Sequence, residues 1–269
     1  MTSPADATPP VGVIGGSGFY SLLEDPDEHE VTTPYGAPSG PVTSGTLGGR
    51  RVLFVPRHGP GHVHPPHLVP YRANLWALRS LGARQVLSLS AVGSLTTSLP
   101  PGSLVVPDQL ADRTSGRPHT YFDDSAGVGH ASFADPYCPR CREAALGGAD
   151  GAHDGGTLVV VNGPRFSTRA ESQEFQRAGW TIIGMTAMPE AGLARELALC
   201  YATLALVTDL DAGVDAGSGV THAEVLANFA ANLPRLRDQL VGTLERLPLD
   251  QSGCDCGDTS GYPETHVLP

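Results

Sequence analysis

Residues 11–18 read VGVIGGSG: an apolar run, Val11-Gly12-Val13-Ile14, breaks off at Gly15-Gly16-Ser17-Gly18. This pattern predicts a buried strand that ends in a loop with exposed backbone N–H groups and one hydroxyl, a shape able to cradle a phosphate. The loop lacks the lysine of a P-loop, and its glycines do not complete the dinucleotide spacing G-x-G-x-x-G. A tight turn is the plain structural alternative.

Working outward, similar short runs recur. They predict strands over 51–55, 85–89, 103–106, 157–161, 181–183 and 202–207. Apolar residues spaced by three and four predict helices over 71–81, 139–146, 170–177, 190–199 and 221–245. Strands alternating with helices give an α/β fold whose largely parallel sheet is flanked by helices on both faces. The 269 residues could form one large domain or two small ones, and nothing in the composition divides them. One domain over 11–248 is expected, with a disordered segment over 1–10 and a flexible tail over 249–269, both rich in Pro, Gly, Ser and Asp.

The net charge of −11 argues against nucleic acid or an acidic membrane as partner, and requires any anionic ligand to find a locally positive site. No apolar run is long enough for a bilayer and no signal-peptide pattern opens the chain, so a soluble, cytoplasmic protein is expected. Five cysteines do not make the disulfide framework of a small secreted domain. Cys138 and Cys141, in CPRC, could serve redox chemistry or half a zinc site, but no second pair stands at metal-ligand spacing. Cys254 and Cys256 flank one Asp in the Gly-rich tail. Most are read as thiols, a strained bridge between Cys254 and Cys256 being the alternative to an ordinary tail; neither pair is given a function, and no metal site is expected.

The polar residues fall where ligands bind in open α/β sheets, beyond the carboxyl ends of strands. The second predicted strand ends in Arg57-His58-Gly59, a guanidinium and an imidazole that need a partner so close to an apolar stretch. The third delivers Ser90-Ala91-Val92-Gly93-Ser94, with more hydroxyl and N–H donors. Donors from three strand ends converge on a tetrahedral anion site. Past the sixth comes Met185-Thr186, and past the seventh Asp209-Leu210-Asp211, where alternation lets one carboxyl face the pocket. Burial can raise such a carboxyl's pKa and equip it to donate a proton to a leaving nitrogen.

Eight motifs now stand in order: GGSGFY from Gly15, RHGPGH from Arg57, YRANLWAL from Tyr71, SAVGSL from Ser90, DRTSGRP from Asp112, GPRFSTRAES from Gly163, MTAMPE from Met185 and TDLDAG from Thr208. With them the chain resembles the methylthioadenosine phosphorylase branch of the trimeric purine nucleoside phosphorylases, over nearly all of 11–247. The resemblance implies a single domain with a central mixed sheet, a homotrimer or a dimer of trimers, and reversible phosphorolysis with inorganic phosphate as co-substrate and no metal or organic cofactor. It gives phosphate to Ser17, Arg57, His58, Ser90, Ala91 and Thr186. It places Phe166 on the purine face, Met185 under the ribose, and Asp209 and Asp211 near the base, with Asp209 acting on N7.

Ser167 and Asp209 match the adenine-selecting branch, whereas the 6-oxopurine enzymes carry Glu and Asn there. His222 stands where methylthioadenosine enzymes have a small apolar residue, so a 5′-hydroxyl is also accommodated. His130 matches a residue that closes the 5′ side of a neighbouring subunit's site. A 6-oxopurine phosphorylase and a hydrolytic nucleosidase are the alternatives, and a non-catalytic nucleotide-binding module would not need the acid at the far strand end.

Overall fold

The computed structural model describes residues 8–16, 23–123, 127–215 and 219–269. Expectations for residues 1–7, and for Ser17 with the rest of its glycine loop past Gly16, lie outside the described residues. In chain order the elements are β1 (Val11–Gly15), β2 (Glu24–His29), β3 (Val42–Leu47), β4 (Arg50–Pro56), α1 (Tyr71–Ser80), β5 (Gln85–Ser94), β6 (Leu104–Val106), β7 (Gln109–Arg113), α2 (Pro139–Gly148), β8 (His153–Asp154), β9 (Thr157–Val161), α3 (Arg169–Arg177), β10 (Ile182–Gly184), α4 (Ala187–Glu196), β11 (Cys200–Leu210) and α5 (His222–Arg246).

The strands make one sheet in the order β2-β3-β4-β1-β5-β10-β9-β7, and β11 also pairs with β5 and carries β6, then β8. The pairs β1–β4, β1–β5, β5–β11, β6–β8, β7–β9 and β9–β10 are parallel. Four others, β2–β3, β3–β4, β5–β10 and β6–β11, are antiparallel, so the sheet is mixed and mostly parallel. One cause is local: Gly48 and Gly49 both take positive φ, 57° and 70°, which closes a two-residue hairpin between β3 and β4.

Side-chain alternation divides the core into layers. Val11, Val13, Leu87, Leu89, Leu204 and Leu206 face α2 and α5. Ile14, Leu53, Val55, Val86 and Tyr201, from the opposite face, meet α1 and α4. The predicted helices all form within a few residues of their expected bounds, and two carry capping boxes, Thr168 with Glu171 on α3 and Thr221 with Glu224 on α5.

The structure adds strands that apolar runs do not reveal. β2 reads EDPDEH with five of its six residues exposed, a charged edge strand that carries a proline. β3, β7 and β8 are short or polar as well. β5 and β11 also run further than their apolar count, because buried hydroxyls continue them into the functional end of the sheet.

The C-terminal segment corrects its expectation. Residues from 249 onward pack on the body: Cys256 is buried in the main core cluster, Tyr262 Oη donates to Arg195 O at 2.5 Å, and the His266 ring packs edge-on against Phe122. At the other end, Pro10 is buried.

Candidate active site

A cavity of about 820 Å³ opens at the carboxyl ends of β1, β4, β5, β10 and β11. Arg57, His58, Ser90, Ala91, Phe166, Ser167, Met185, Thr186, Asp209, Asp211 and His222 all line it. Two expected residues stand apart from this wall: Ser17 lies outside the described residues, and His130, expected to serve a neighbouring subunit's site, does not line this chain's own cavity. His130 is exposed, and its N–H donates to Gly261 O.

Arg57 has a partner that the sequence reading overlooked. Its Nε donates to Glu190 Oε2 at 2.8 Å and its Nη2 to Glu190 Oε1 at 2.9 Å, while Ser88 Oγ and Tyr201 Oη also donate to Oε1. Nη1 and Nη2 further reach Leu89 O and Ser88 Oγ. The guanidinium is 3% exposed and the carboxylate 1%. Burial alone would lower the Arg57 pKa, but Glu190 more than offsets this and raises it. The partner that Arg57 needs is supplied within the chain: Glu190 neutralises it, leaving one N–H of Nη1 without a protein acceptor among the described residues.

His58 donates from Nδ1 to His64 O at 2.8 Å, since the carbonyl can only accept, and its ring stacks on His62 with centroids 4.2 Å apart. Burial, and then the Arg57 charge, push its pKa down to about 4, so it is neutral at pH 7 with Nε2 as an acceptor. Ser90 Oγ is buried against the cavity with no hydrogen-bond partner among the described residues. Thr186 occupies the N-cap position of α4, yet its hydroxyl makes no cap. Unmade bonds of this kind are costly unless a ligand completes them.

Across the cavity, β11 carries a bulge at Thr208: Val207 pairs with Val92 and Asp209 with Gly93, so Thr208 is the extra residue. Residues two apart on a strand share a face, so both Asp209 and Asp211 line the cavity rather than one. Thr208 Oγ1 donates to Asp209 Oδ2 at 2.8 Å. Gly93 makes room opposite, since a Cβ there would stand 2.9 Å from Asp209 Oδ1. Burial pushes the Asp209 carboxyl up to about 6, against the Thr208 bond, and Asp211 adds to the rise. Asp211 is raised too, by burial, while hydrogen bonds with Ser172 and Ser167 oppose the shift.

Comparison with known proteins matches the phosphorylase superfamily model over residues 10–245. The chain belongs to the phosphorylase superfamily. It is 57% identical over 263 residues to a purine nucleoside phosphorylase of Streptomyces coelicolor, covering 93% of this chain and 94% of that one. It is 56% identical over 260 residues to an S-methyl-5′-thioadenosine phosphorylase of Mycolicibacterium smegmatis, covering 96% and 99%. Among solved structures, a methylthioadenosine phosphorylase from an antarctic soil metagenomic library superposes with a TM-score of 0.87 at 38% identity, covering 94% of this chain and 91% of that one. The methylthioadenosine phosphorylase of Schistosoma mansoni in complex with adenine gives 0.83 at 37% identity, covering 87% and 90%. The resemblance read from the motifs holds, and so does the nucleoside phosphorylase-type fold.

In this phosphorylase superfamily member the sequence reading missed three parts of the site. Glu190 was in view at the end of MTAMPE, and an acid three residues inside a helix beside a lone strand-end arginine was the available signal. His62 stands at the end of RHGPGH and lines the cavity next to His58. Val225, Phe229 and Leu233 roof the cavity from the first half of α5. Their spacing of four is helical, but only the fold turns that stripe toward the site.

Proposed function

We propose that the protein is a purine nucleoside phosphorylase that cleaves the N-glycosidic bond of adenosine-type nucleosides, S-methyl-5′-thioadenosine included. Inorganic phosphate is the nucleophile, and free base and a ribose 1-phosphate, 5-substituted or not, are the products. One observation carries the reading: a buried, unpartnered hydroxyl and an arginine stand on one side of the cavity, and a carboxyl poised near pH 6 on the other. Ser90 Oγ, the Ala91 N–H, Thr186 Oγ1 and the remaining Arg57 N–H hold phosphate, and neutral His58 accepts the proton of its monohydrogen form through Nε2. Phe166 and Met185 pack on purine and ribose.

Breaking C1′–N9 leaves positive character on the sugar and negative character on the base. Phosphate beneath the sugar offsets the first and attacks C1′, while protonated Asp209 offsets the second by donating toward N7. Asp211, oriented by Ser167 and Ser172, flanks it at the base end. A hydrolase would need a carboxylate beneath the sugar to activate water. Among the described residues the acids lining the cavity are Asp209 and Asp211, and Glu190 is bound to Arg57, which favours phosphorolysis.

The reaction needs no metal or organic cofactor. We further assign the protein to the cytoplasm; among the described residues, no helix is long and apolar enough to cross a membrane. It acts as a homotrimer or a dimer of trimers in which His130 closes a neighbour's 5′ pocket, so full turnover by a sedimenting monomer would refute that assembly. Phosphate-dependent release of adenine from methylthioadenosine tests the main reading, and equal release without phosphate would overturn it.

A further inference from the structure

The five cysteines, which the sequence reading left without a role, meet at the end of the sheet opposite the cavity. Cys138 precedes α2, Cys200 opens β11, and Cys254 and Cys256 belong to the C-terminal segment around a 3-10 turn at Asp255–Gly257. The Sγ atoms of these four lie within 4.8 Å of one another, and Cys138, Cys200 and Cys256 are buried. Cys141 stands beside them as a free thiol, hydrogen-bonded with Cys138 and Cys200. We propose that Cys138, Cys200, Cys254 and Cys256 bind one Zn²⁺ as a closed tetrathiolate site that clasps the C-terminal segment to α2 and β11.

Three observations support it. Zn–S bonds of about 2.3 Å in a tetrahedron put sulfurs roughly 3.8 Å apart, which agrees with the observed cluster. A disulfide would bring only two sulfurs to about 2.05 Å, while the close pair Cys200 and Cys254 stands at 3.4 Å. Second, donors stand where thiolates would form: Cys138 is the N-cap residue of α2, at the positive end of its dipole, and Gln251 Nε2 approaches Cys200 Sγ at 3.5 Å. Third, residues 250–258 read DQSGCDCGD, with no large apolar side chain to hold them, yet they pack on the body and bury Cys256 to 3% exposure. A metal clasp supplies what their composition lacks.

Binding converts four thiols and Zn²⁺ into a tetrathiolate of charge −2 and releases four protons; the Cys254 contact to Gln251 O, 3.4 Å, is given up as its proton leaves. Four protein ligands leave no open position, so the ion is structural. The nine residue steps of β11 from Cys200 to Asp209 span roughly 30 Å, which separates it from the reaction.

The test is metal analysis of the full-length protein purified under reducing conditions, followed by exchange with Co²⁺. Roughly one zinc per chain and the visible bands of tetrahedral cobalt thiolate are expected. Cys138→Ser and Cys256→Ser should each weaken Co²⁺ binding by more than about tenfold, since even an outer-shell loss costs that much, whereas Cys141→Ser should retain it. Stripping zinc with a chelator should lower Tm and leave turnover at moderate temperature unchanged. Zinc far below one per chain with no cobalt bands would overturn the proposal. So would a disulfide between any two of the four cysteines, found by mass analysis of the protein unfolded without reductant.

Discussion

Replacing Glu190 with Gln keeps the shape of a buried carboxylate while removing its charge, and the structure fixes what that costs. Oε1 accepts from Arg57 Nη2, Ser88 Oγ and Tyr201 Oη, and Oε2 accepts from Arg57 Nε. Glutamine can keep its oxygen at the three-donor position only by turning its NH₂ against the Arg57 Nε–H. Arg57 is then a buried cation, 3% exposed, held by Leu89 O, Ser88 Oγ and one amide oxygen. Breaking such a pair from one side costs about 3–5 kcal/mol. With an unfolding entropy near 2.1 cal/mol/K per residue over this chain, that is a fall of about 5–9 °C in Tm. Removing both charges, as Arg57→Met with Glu190→Met, should recover most of the stability but not the use of phosphate. Thermal unfolding of the three proteins, with the phosphate KM of Glu190→Gln, measures this. A Tm within about 1 °C of wild type for the single variant would refute the claim that the pair is desolvated and mutually dependent.

Asp209→Asn should lower kcat by about two to three orders of magnitude and abolish the loss of kcat/KM above pH 6, where each unit leaves about a tenth as much Asp209 protonated; a falling limb that persists in the variant would assign it to another group. The same change should stabilise the fold at pH 7. The native carboxyl's raised pKa gives stability that is present below pH 4 and lost as pH rises through 6, so the variant's advantage, about 3 kcal/mol at pH 7, should vanish toward pH 4 in denaturant titrations. Gly93→Ala would put a Cβ 2.9 Å from Asp209 Oδ1 and 3.0 Å from Ile183, displacing the acid; a loss of about tenfold to a hundredfold in kcat with the nucleoside KM less affected is expected, and unchanged kcat would mean the acid tolerates the shift. His222→Val removes a hydrogen bond to a 5′-hydroxyl and should move the kcat/KM ratio of methylthioadenosine over adenosine up by roughly tenfold; an unchanged ratio would place the 5′ preference elsewhere, with His62 the next residue to test.

The α/β class, the helices and the strand ends that carry chemistry were legible because they depend on local periodicity and on polar residues placed where an apolar run stops. The donors and acids of the cavity wall, Arg57, His58, Ser90 and Asp209, are therefore legible in the residues themselves, while Phe166, Ser167 and His222 follow only from the family resemblance. Ser90 and Thr186 were legible as donors, but that Ser90 Oγ finds no partner among the described residues and that the Thr186 hydroxyl makes no cap was not, because satisfaction depends on every neighbour at once. The charged β2 and the short β8 were illegible for a different reason: their pairing is decided by the strand beside them, not by their own side chains.

The sequence by itself determined which residues can act, since VGVIGG, RHG, SAVGS and TDLD each join an apolar run to a donor or an acid within a few positions. Only the tertiary structure decided who pairs with whom. Glu190 lies 133 residues from Arg57 yet takes its charge. The Thr208 bulge sets the register that puts Asp209 beside Gly93, and cysteines from the start of α2, β11 and the C-terminal segment converge within 4.8 Å. Contacts between residues far apart in the chain carry no local pattern. They are fixed by the packing that buries the sheet between its helices, and that packing also sets the local dielectric that raises Asp209 and lowers His58.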